Sequence, residues 1–124
     1  MKHLQLQYFD IEANKFYGPL PQDLFQMKNF VKLSANQFTG TLPYIDKNSE
    51  ITYLDVSSNK ISGTIPNIGN ASKLSVLNLS SNKIEGKIPS SLTNLKELKY
   101  CKYIIKCVHS FFSYFCFAFY SIFI

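Results

Sequence analysis

The sequence lacks cysteine throughout its first hundred residues, which excludes a disulfide framework for most of the chain. The three cysteines (Cys101, Cys107 and Cys116) all come later, and an odd number gives no complete set of pairs. Histidine is also scarce, because His3 and His109 are too few and too far apart to build a metal site. We therefore expect no metal and no other cofactor.

Charged residues are sparse as well, at 17% of the 124 residues, a length that suits one domain. The net charge of +5 comes from lysines that are mostly scattered singly, which is typical of a solvated surface. We therefore predict no nucleic-acid partner. The amino-terminal MKHLQLQYFD has no apolar segment of the secretory kind, so no signal peptide is expected in the chain as given.

What the chain does have is an internal repeat of 22 or 23 residues. The four copies are FDIEANKFYGPLP from Phe9, VKLSANQFTGTLP from Val31, LDVSSNKISGTIP from Leu54 and LNLSSNKIEGKIP from Leu77. Four of the five glycines share one column, namely Gly18, Gly40, Gly63 and Gly86. Four of the five prolines share another, namely Pro21, Pro43, Pro66 and Pro89. Such periodicity predicts a stack of coils, because a single coil cannot bury its own apolar edge.

Each column of the repeat has a physical reading. Apolar residues alternate with polar ones at Phe9 and Ile11, Val31 and Leu33, Leu54 and Val56, and Leu77 and Leu79. This alternation predicts a short strand with one buried face. An Asn ladder in the following turn is predicted from Asn14, Asn36, Asn59 and Asn82. Beyond the turn, Phe16, Phe38, Ile61 and Ile84 are expected to fill the core. The glycine column suits positive φ, and proline ends any hydrogen-bonded ladder.

These residues follow the pattern LxxLxLxxNxLxGxIP, which resembles the plant-type extracellular leucine-rich repeat. The GTIP from Gly63 and the GKIP from Gly86 are the specific part of the match, with GPLP and GTLP as variants. The resemblance implies an α/β-class right-handed solenoid of about four repeats, with short parallel strands joined by turns and 3-10 connections. Lys28 departs from an expected Leu, and Met27 is expected to take its place. The pattern stops after Leu98, so we assign residues 1–98 to the repeats.

A recognition surface is predicted on the solvent-facing side of the strands, the concave side on which this family usually binds ligands. One column there contains Tyr8, Phe30, Tyr53 and Val76, and the next contains Asp10, Lys32, Asp55 and Asn78. Aromatic residues beside charges favour a binding stripe. The alternative is that β-favouring aromatics only pack along the sheet.

Two further features bear on function. Asn70-Ala-Ser72 and Asn78-Leu-Ser80 match the N-glycosylation acceptor triplet, and both are expected to be modified if the chain enters the secretory route. Asp10, Glu12 and Asp55 could suggest a hydrolase, but no His lies near them in register to act as a base. No kinase signature is present either. We therefore predict that the chain is not an enzyme and has no catalytic residues.

Residues 99–124 form a basic and then apolar tail. Eighteen residues from Cys107 to Ile124 contain no charged side chain, and as a helix they would reach about 27 Å, slightly less than the ~30 Å of a hydrocarbon core. A membrane span at 107–124 is one interpretation, although the basic residues before it would place the repeats in the cytosol. The other interpretation is non-native read-through sequence, because almost every residue from Ser110 onward has T-rich codons.

The resemblance supports three functional hypotheses. The first is a fragment of a receptor-like protein or receptor-like kinase ectodomain, at the plasma membrane or outside the cell, in defence or developmental signalling. Its partners would be a protein, peptide or carbohydrate ligand and a co-receptor. The second is a secreted binding protein of the polygalacturonase-inhibitor kind. The third is a truncated remnant without independent activity.

Overall fold

The principal element of the protein is a six-stranded sheet, seen in a computed structural model that describes residues 6–102 and 122–123. The strands of this sheet, in spatial order, are β1 (Tyr8–Asp10), β3 (Asn29–Lys32), β5 (Ile51–Asp55), β7 (Val76–Asn78), β9 (Tyr100–Lys102) and β10 (Ile122–Phe123). The first five strands pair in parallel, and β10 pairs antiparallel with β9. The predicted stack of short parallel strands is confirmed.

Two small parallel ladders flank the main sheet. Their strands come after the turn that follows a main-sheet strand in the same coil. They pair β2 (Tyr17–Pro19) with β4 (Gln37–Thr39), and β6 (Ser62–Gly63) with β8 (Lys83–Ile84). Two of the outer connections are 3-10 helices, Gln22–Gln26 and Ser90–Asn94. Each begins directly after a proline of the repeat (Pro21 or Pro89), because proline fixes an extended φ and offers no N–H to a ladder.

The core lies between the main sheet and the outer connections, in layers of one coil each. Val31, Leu54 and Leu77 are at most 3% exposed, and Met27 fills the place expected of a leucine. Phe16 was expected to fill the core, but its side chain is 49% exposed in the structure. It belongs to the first described coil, which has a neighbour on one side only among the described residues, and it stacks on Phe38 with ring centroids 6.5 Å apart.

The sheet continues past the predicted end of the repeats. Strand β9 pairs with β7 in the register of the earlier coils, and Cys101 lies opposite Leu77 in the buried column with no exposed surface. Burial raises the pKa of the Cys101 thiol to about 12. Part of the segment assigned to the tail therefore adds a fifth parallel strand. Whether residues 99–124 form a separate unit stays a prediction.

The predicted membrane segment falls almost wholly outside the described part of the chain. Residues 107–121 and residue 124 are not described, and residues 122–123 are described only as β10. Among residues 6–102 and 122–123, no helix combines the length and the apolar composition that crossing a bilayer requires. The read-through interpretation of the tail stays a prediction as well.

The glycine column adopts the positive φ that the sequence predicts, with values between +77° and +93°. An added Cβ at Gly63 would lie 2.7 Å from Cγ2 of Thr41 in the preceding coil, whereas at Gly18 nothing lies within 4 Å. We expect Gly63→Ala to cost about 2–3 kcal/mol, since positive φ contributes about 1–2 kcal/mol and the contact with Thr41 adds to it.

Chemical denaturation measures this difference directly. The matched control is Gly18→Ala, which has the same backbone strain without the steric contact and is expected to cost about 1–2 kcal/mol. Adding Thr41→Ser to Gly63→Ala removes Cγ2 and is expected to recover part of the loss. Equal costs for the two glycine variants would mean that close approach between the coils plays no part.

Candidate functional site

The strand faces are held in register by asparagine side chains in the turn that follows each strand. Nδ2 of Asn59 lies 3.0 Å from the carbonyl oxygens of Leu33, Val56 and Ser57, and its Oδ1 accepts a hydrogen bond from the Phe38 N–H at 3.0 Å. Asn36 and Asn82 make the same four contacts to equivalent groups, two in their own coil and two in the preceding coil.

The fourth member of that column differs. Asn14, in the first described coil, is exposed, and among the described residues its amide contacts only the carbonyl oxygens of Ile11 and Glu12 in its own coil. The residue before each of these asparagines has a positive φ of 53–57°, at Ala13, Ala35, Ser58 and Ser81. In the later coils the amide points inward, so Asn36, Asn59 and Asn82 each join their own coil to the preceding one.

The aromatic stripe consists of Tyr8, Phe30 and Tyr53, in register on the solvent-facing side of β1, β3 and β5. The rings of Tyr8 and Phe30 are stacked with centroids 4.4 Å apart and planes 7° apart. Those of Phe30 and Tyr53 are 4.2 Å apart with planes 15° apart. Both spacings are shorter than the ~4.8 Å between strands, so the rings lean together into one apolar ridge.

The ridge begins at β1 and ends at β5, because the next residue in the register is not aromatic. Tyr8 is 62% exposed at the first strand of the sheet, while Val76 follows Tyr53 in the register and ends the series of stacked rings. Desolvation raises the pKa of the Tyr53 phenol, and the negative charge of Asp55 adds to this effect. The Tyr53 hydroxyl therefore keeps its proton at physiological pH and is available as a hydrogen-bond donor.

The polar stripe, defined by Asp10, Lys32, Asp55 and Asn78, also lies in register beside the aromatic stripe. Three of its members are used locally at the ends of their strands. Oδ1 of Asp10 accepts a hydrogen bond from the Glu12 N–H at 2.9 Å. Oδ1 of Asp55 accepts from both N–H and Oγ of Ser57, and Oδ1 of Asn78 accepts from the same two groups of Ser80. Asp55 is also buried, so its carboxylate has little surface with which to contact a ligand.

The structural role of these side chains was not anticipated from the sequence. The signal that could have revealed it is the spacing of Asp or Asn two residues before Ser at a strand end, because such side chains bond the backbone two residues on. The first two coils depart from this spacing together. Glu12 stands where later coils have Ser, and Lys32 stands where they have Asp or Asn.

The two exceptional residues, Glu12 and Lys32, pair with each other between the first and second coils. Nζ of Lys32 lies 2.7 Å from Oε2 of Glu12, and Oγ of Ser34 donates to Oε1 of Glu12 at 2.9 Å. The hydrogen bond with Lys32 lowers the pKa of the Glu12 carboxyl, and the same bond raises the pKa of Lys32. Both groups are charged at neutral pH, so the sheet face presents a fixed pair of opposite charges next to the aromatic stripe.

The two acceptor triplets lie in different surroundings. Asn78 is in the central strand β7, whereas Asn70 lies in an outer connection, where its Nδ2 donates to the Ile45 carbonyl oxygen at 3.1 Å. Nδ2 of Asn70 also lies 3.4 Å from the hydroxyl oxygen of Tyr44. The structure therefore separates the two asparagines onto opposite sides of the coil.

Comparisons with known proteins agree with this geometry. A family model described as Leucine Rich Repeat matches residues 50–70 and 73–95. Receptor-like protein 19 of Arabidopsis thaliana is 41% identical over 39 residues, a match that spans 32% of this chain and 4% of that protein. The ectodomain of the plant membrane receptor kinase GASSHO1/SCHENGEN3 from Arabidopsis thaliana, solved with CASPARIAN STRIP INTEGRITY FACTOR 2, has a TM-score of 0.76 at 28% identity.

A second solved structure is also similar to this chain. The Arabidopsis receptor kinase HAESA, in complex with the peptide hormone IDA and the co-receptor SERK1, has a TM-score of 0.71 at 30% identity. Both alignments cover 84% of this chain, but only 13% of the GASSHO1 chain and 18% of the HAESA chain. The chain therefore spans a small part of the length of the receptors it matches.

The fold and these matches define the chain as a leucine-rich-repeat solenoid. More narrowly, its repeats are similar to those of the plant receptor-like protein and receptor kinase ectodomains that it matches.

Proposed function

We propose that this chain is a peptide-binding module of plant cell-surface recognition, and that the solvent-facing side of the main sheet is its binding surface. The observation that carries the proposal is the ridge of three stacked rings beside the charged pair of Lys32 and Glu12. Aromatic side chains bury much apolar area at little entropic cost, which is why they often anchor interfaces.

The chemistry of this surface favours a peptide with an apolar side chain next to a charged one. Tyr8 and Tyr53 combine an apolar ring with a hydroxyl group, so they suit a ligand that is partly apolar and partly polar. Lys32 and Glu12 hold each other in place, which lowers the entropic cost of offering them to a ligand. In the polar stripe, Asp10 and Lys32 are the members we assign to ligand contacts, because Asp10 is exposed whereas Asp55 is buried.

Similar proteins support this choice of ligand class. The HAESA structure is a complex with the peptide hormone IDA and the co-receptor SERK1. The structure of RGFR1, a plant peptide hormone receptor, is a complex with RGF2. We propose that this chain likewise binds a peptide ligand, contacts a co-receptor and lies at the cell surface. Defence or developmental signalling and a role without catalysis are parts of the same proposal.

The test is selection of peptide ligands for the full chain from a displayed random library, followed by calorimetry on the binders. We expect Tyr8→Ala and Tyr53→Ala each to weaken binding about ten-fold or more, since they remove aromatic anchors. The matched control is Tyr17→Ala, an 83% exposed tyrosine on the flanking strand β2, which is expected to leave affinity unchanged.

The same experiment has clear opposing outcomes. Binders that tolerate both stripe variants but lose affinity on Tyr17→Ala would move the binding surface to the flank. A folded chain that selects no peptide at all would count against the ligand class itself.

A further inference from the structure

We propose that Asn70 carries an N-linked glycan seated against the ring of Tyr44, and that Asn78 stays unmodified. This inference rests on the proposed cell-surface function, since the modification requires the secretory route. Both asparagines stand in acceptor triplets, so the distinction comes from the structure and not from the motif.

The amide of Asn70 has a spare position for a sugar. One N–H of Nδ2 serves the Ile45 carbonyl oxygen at 3.1 Å, and the other side of the nitrogen faces the Tyr44 hydroxyl at a longer 3.4 Å. A glycosylated amide keeps one N–H. The bond to Ile45 can therefore persist while the sugar replaces only the weaker contact with Tyr44.

Tyr44 provides the surface on which that sugar would rest. Its side chain is 68% exposed, which leaves the ring open to a partner. The C–H groups of a pyranose form an apolar face, and dispersion contacts with an aromatic ring favour their packing. Ser72, which completes the triplet, is exposed and gives the transferase access.

The acceptor triplet of Asn78 is less accessible. Ser80, which completes its triplet, is 4% exposed, and its Oγ donates to Oδ1 of Asn78 at 2.7 Å. Asn78 also lies in register between Asp55 and Lys102 on the sheet. A glycan there would cover the binding surface proposed above. A glycan on Asn70 instead lies on an outer connection and leaves the sheet open.

The modification is a glycosyl transfer from a lipid-linked diphospho-oligosaccharide. Nδ2 of Asn70 attacks the anomeric carbon, the new N–C bond forms, and the C–O bond to the diphosphate breaks. The lipid diphosphate departs as the leaving group, and one amide proton passes to a base of the transferase.

The experiment directs the full chain into the secretory route of plant cells with a cleavable signal and a tag that carries its own acceptor triplet. Material with a glycosylated tag is scored for glycans by mass spectrometry of peptides. We expect one glycan, at Asn70. Ser72→Ala is expected to abolish it, and the matched variant Ser80→Ala to leave it in place.

Three outcomes would overturn the proposal. They are a glycan at Asn78, a bare Asn70 in material with a glycosylated tag, and a glycan at Asn70 that raises the melting temperature equally with and without Tyr44→Ala. We expect the glycan to raise the melting temperature of the natural chain and Tyr44→Ala to abolish that increase. None of these readouts depends on peptide binding, so the glycan and the binding surface can fail independently.

Discussion

Replacing Asn59 with alanine is expected to lower the free energy of unfolding by about 3 kcal/mol or more. The substitution leaves the buried Phe38 N–H without its acceptor and removes a donor from the carbonyl oxygens of Leu33, Val56 and Ser57. Each buried backbone group left unsatisfied costs about 1–3 kcal/mol. Whole domains are stable by only about 5–15 kcal/mol, so this loss is a large share of the total.

The matched control is Asn14→Ala, at the same position of the first described coil. Asn14 is exposed and contacts two carbonyl oxygens of its own coil, so its loss is expected to cost less than about 1 kcal/mol. Urea denaturation of both variants measures the difference. Similar costs at the two positions would show that the bonds between coils contribute little and that the asparagine matters only for its own turn.

The contrast between these two residues also shows why so much of the fold could be predicted from the sequence. The periodic columns encode contacts that every coil repeats, so one interpretation of Asn36 also applies to Asn59 and Asn82. The glycine, proline and strand columns could be interpreted in the same way. What the columns do not contain is the position of a coil in the stack, which is why Phe16 was expected in the core and is exposed instead.

The candidate site was predicted less completely, for a related reason. The register of Tyr8, Phe30 and Tyr53 follows from the period, and the structure brings these rings together as that register requires. Which polar side chains remain available to a ligand depends on local bonds that the pattern does not record. Asp55 is used by Ser57, whereas Lys32 pairs with a residue of the preceding coil. Only the side-chain geometry of the structure shows which of these polar groups are already bonded.

Cys101→Asp is expected to lower the free energy of unfolding by several kcal/mol or to detach β9 from the sheet. Cys101 has no exposed surface and lies opposite Leu77, so a carboxylate there would be buried without a partner. Lys99→Asp is the matched control, because it places the same side chain at an exposed neighbouring position and is expected to change stability by less than about 0.5 kcal/mol.

Two measurements distinguish an integral fifth strand from a dispensable one. The Tyr100 N–H donates to the Ser75 carbonyl oxygen at 3.0 Å, so its hydrogen exchange is expected to be slow in the natural chain and fast in Cys101→Asp. In a Cys107→Ser, Cys116→Ser background, a Cys101 pKa near 12 instead of 9.0 implies about a thousand-fold less thiolate when folded, and correspondingly slow alkylation. Fast alkylation of the folded chain, together with a harmless Cys101→Asp, would place the end of the repeats at Leu98. The solenoid would then end where the sequence pattern does, and the pairing of β9 with β7 would add nothing to its stability.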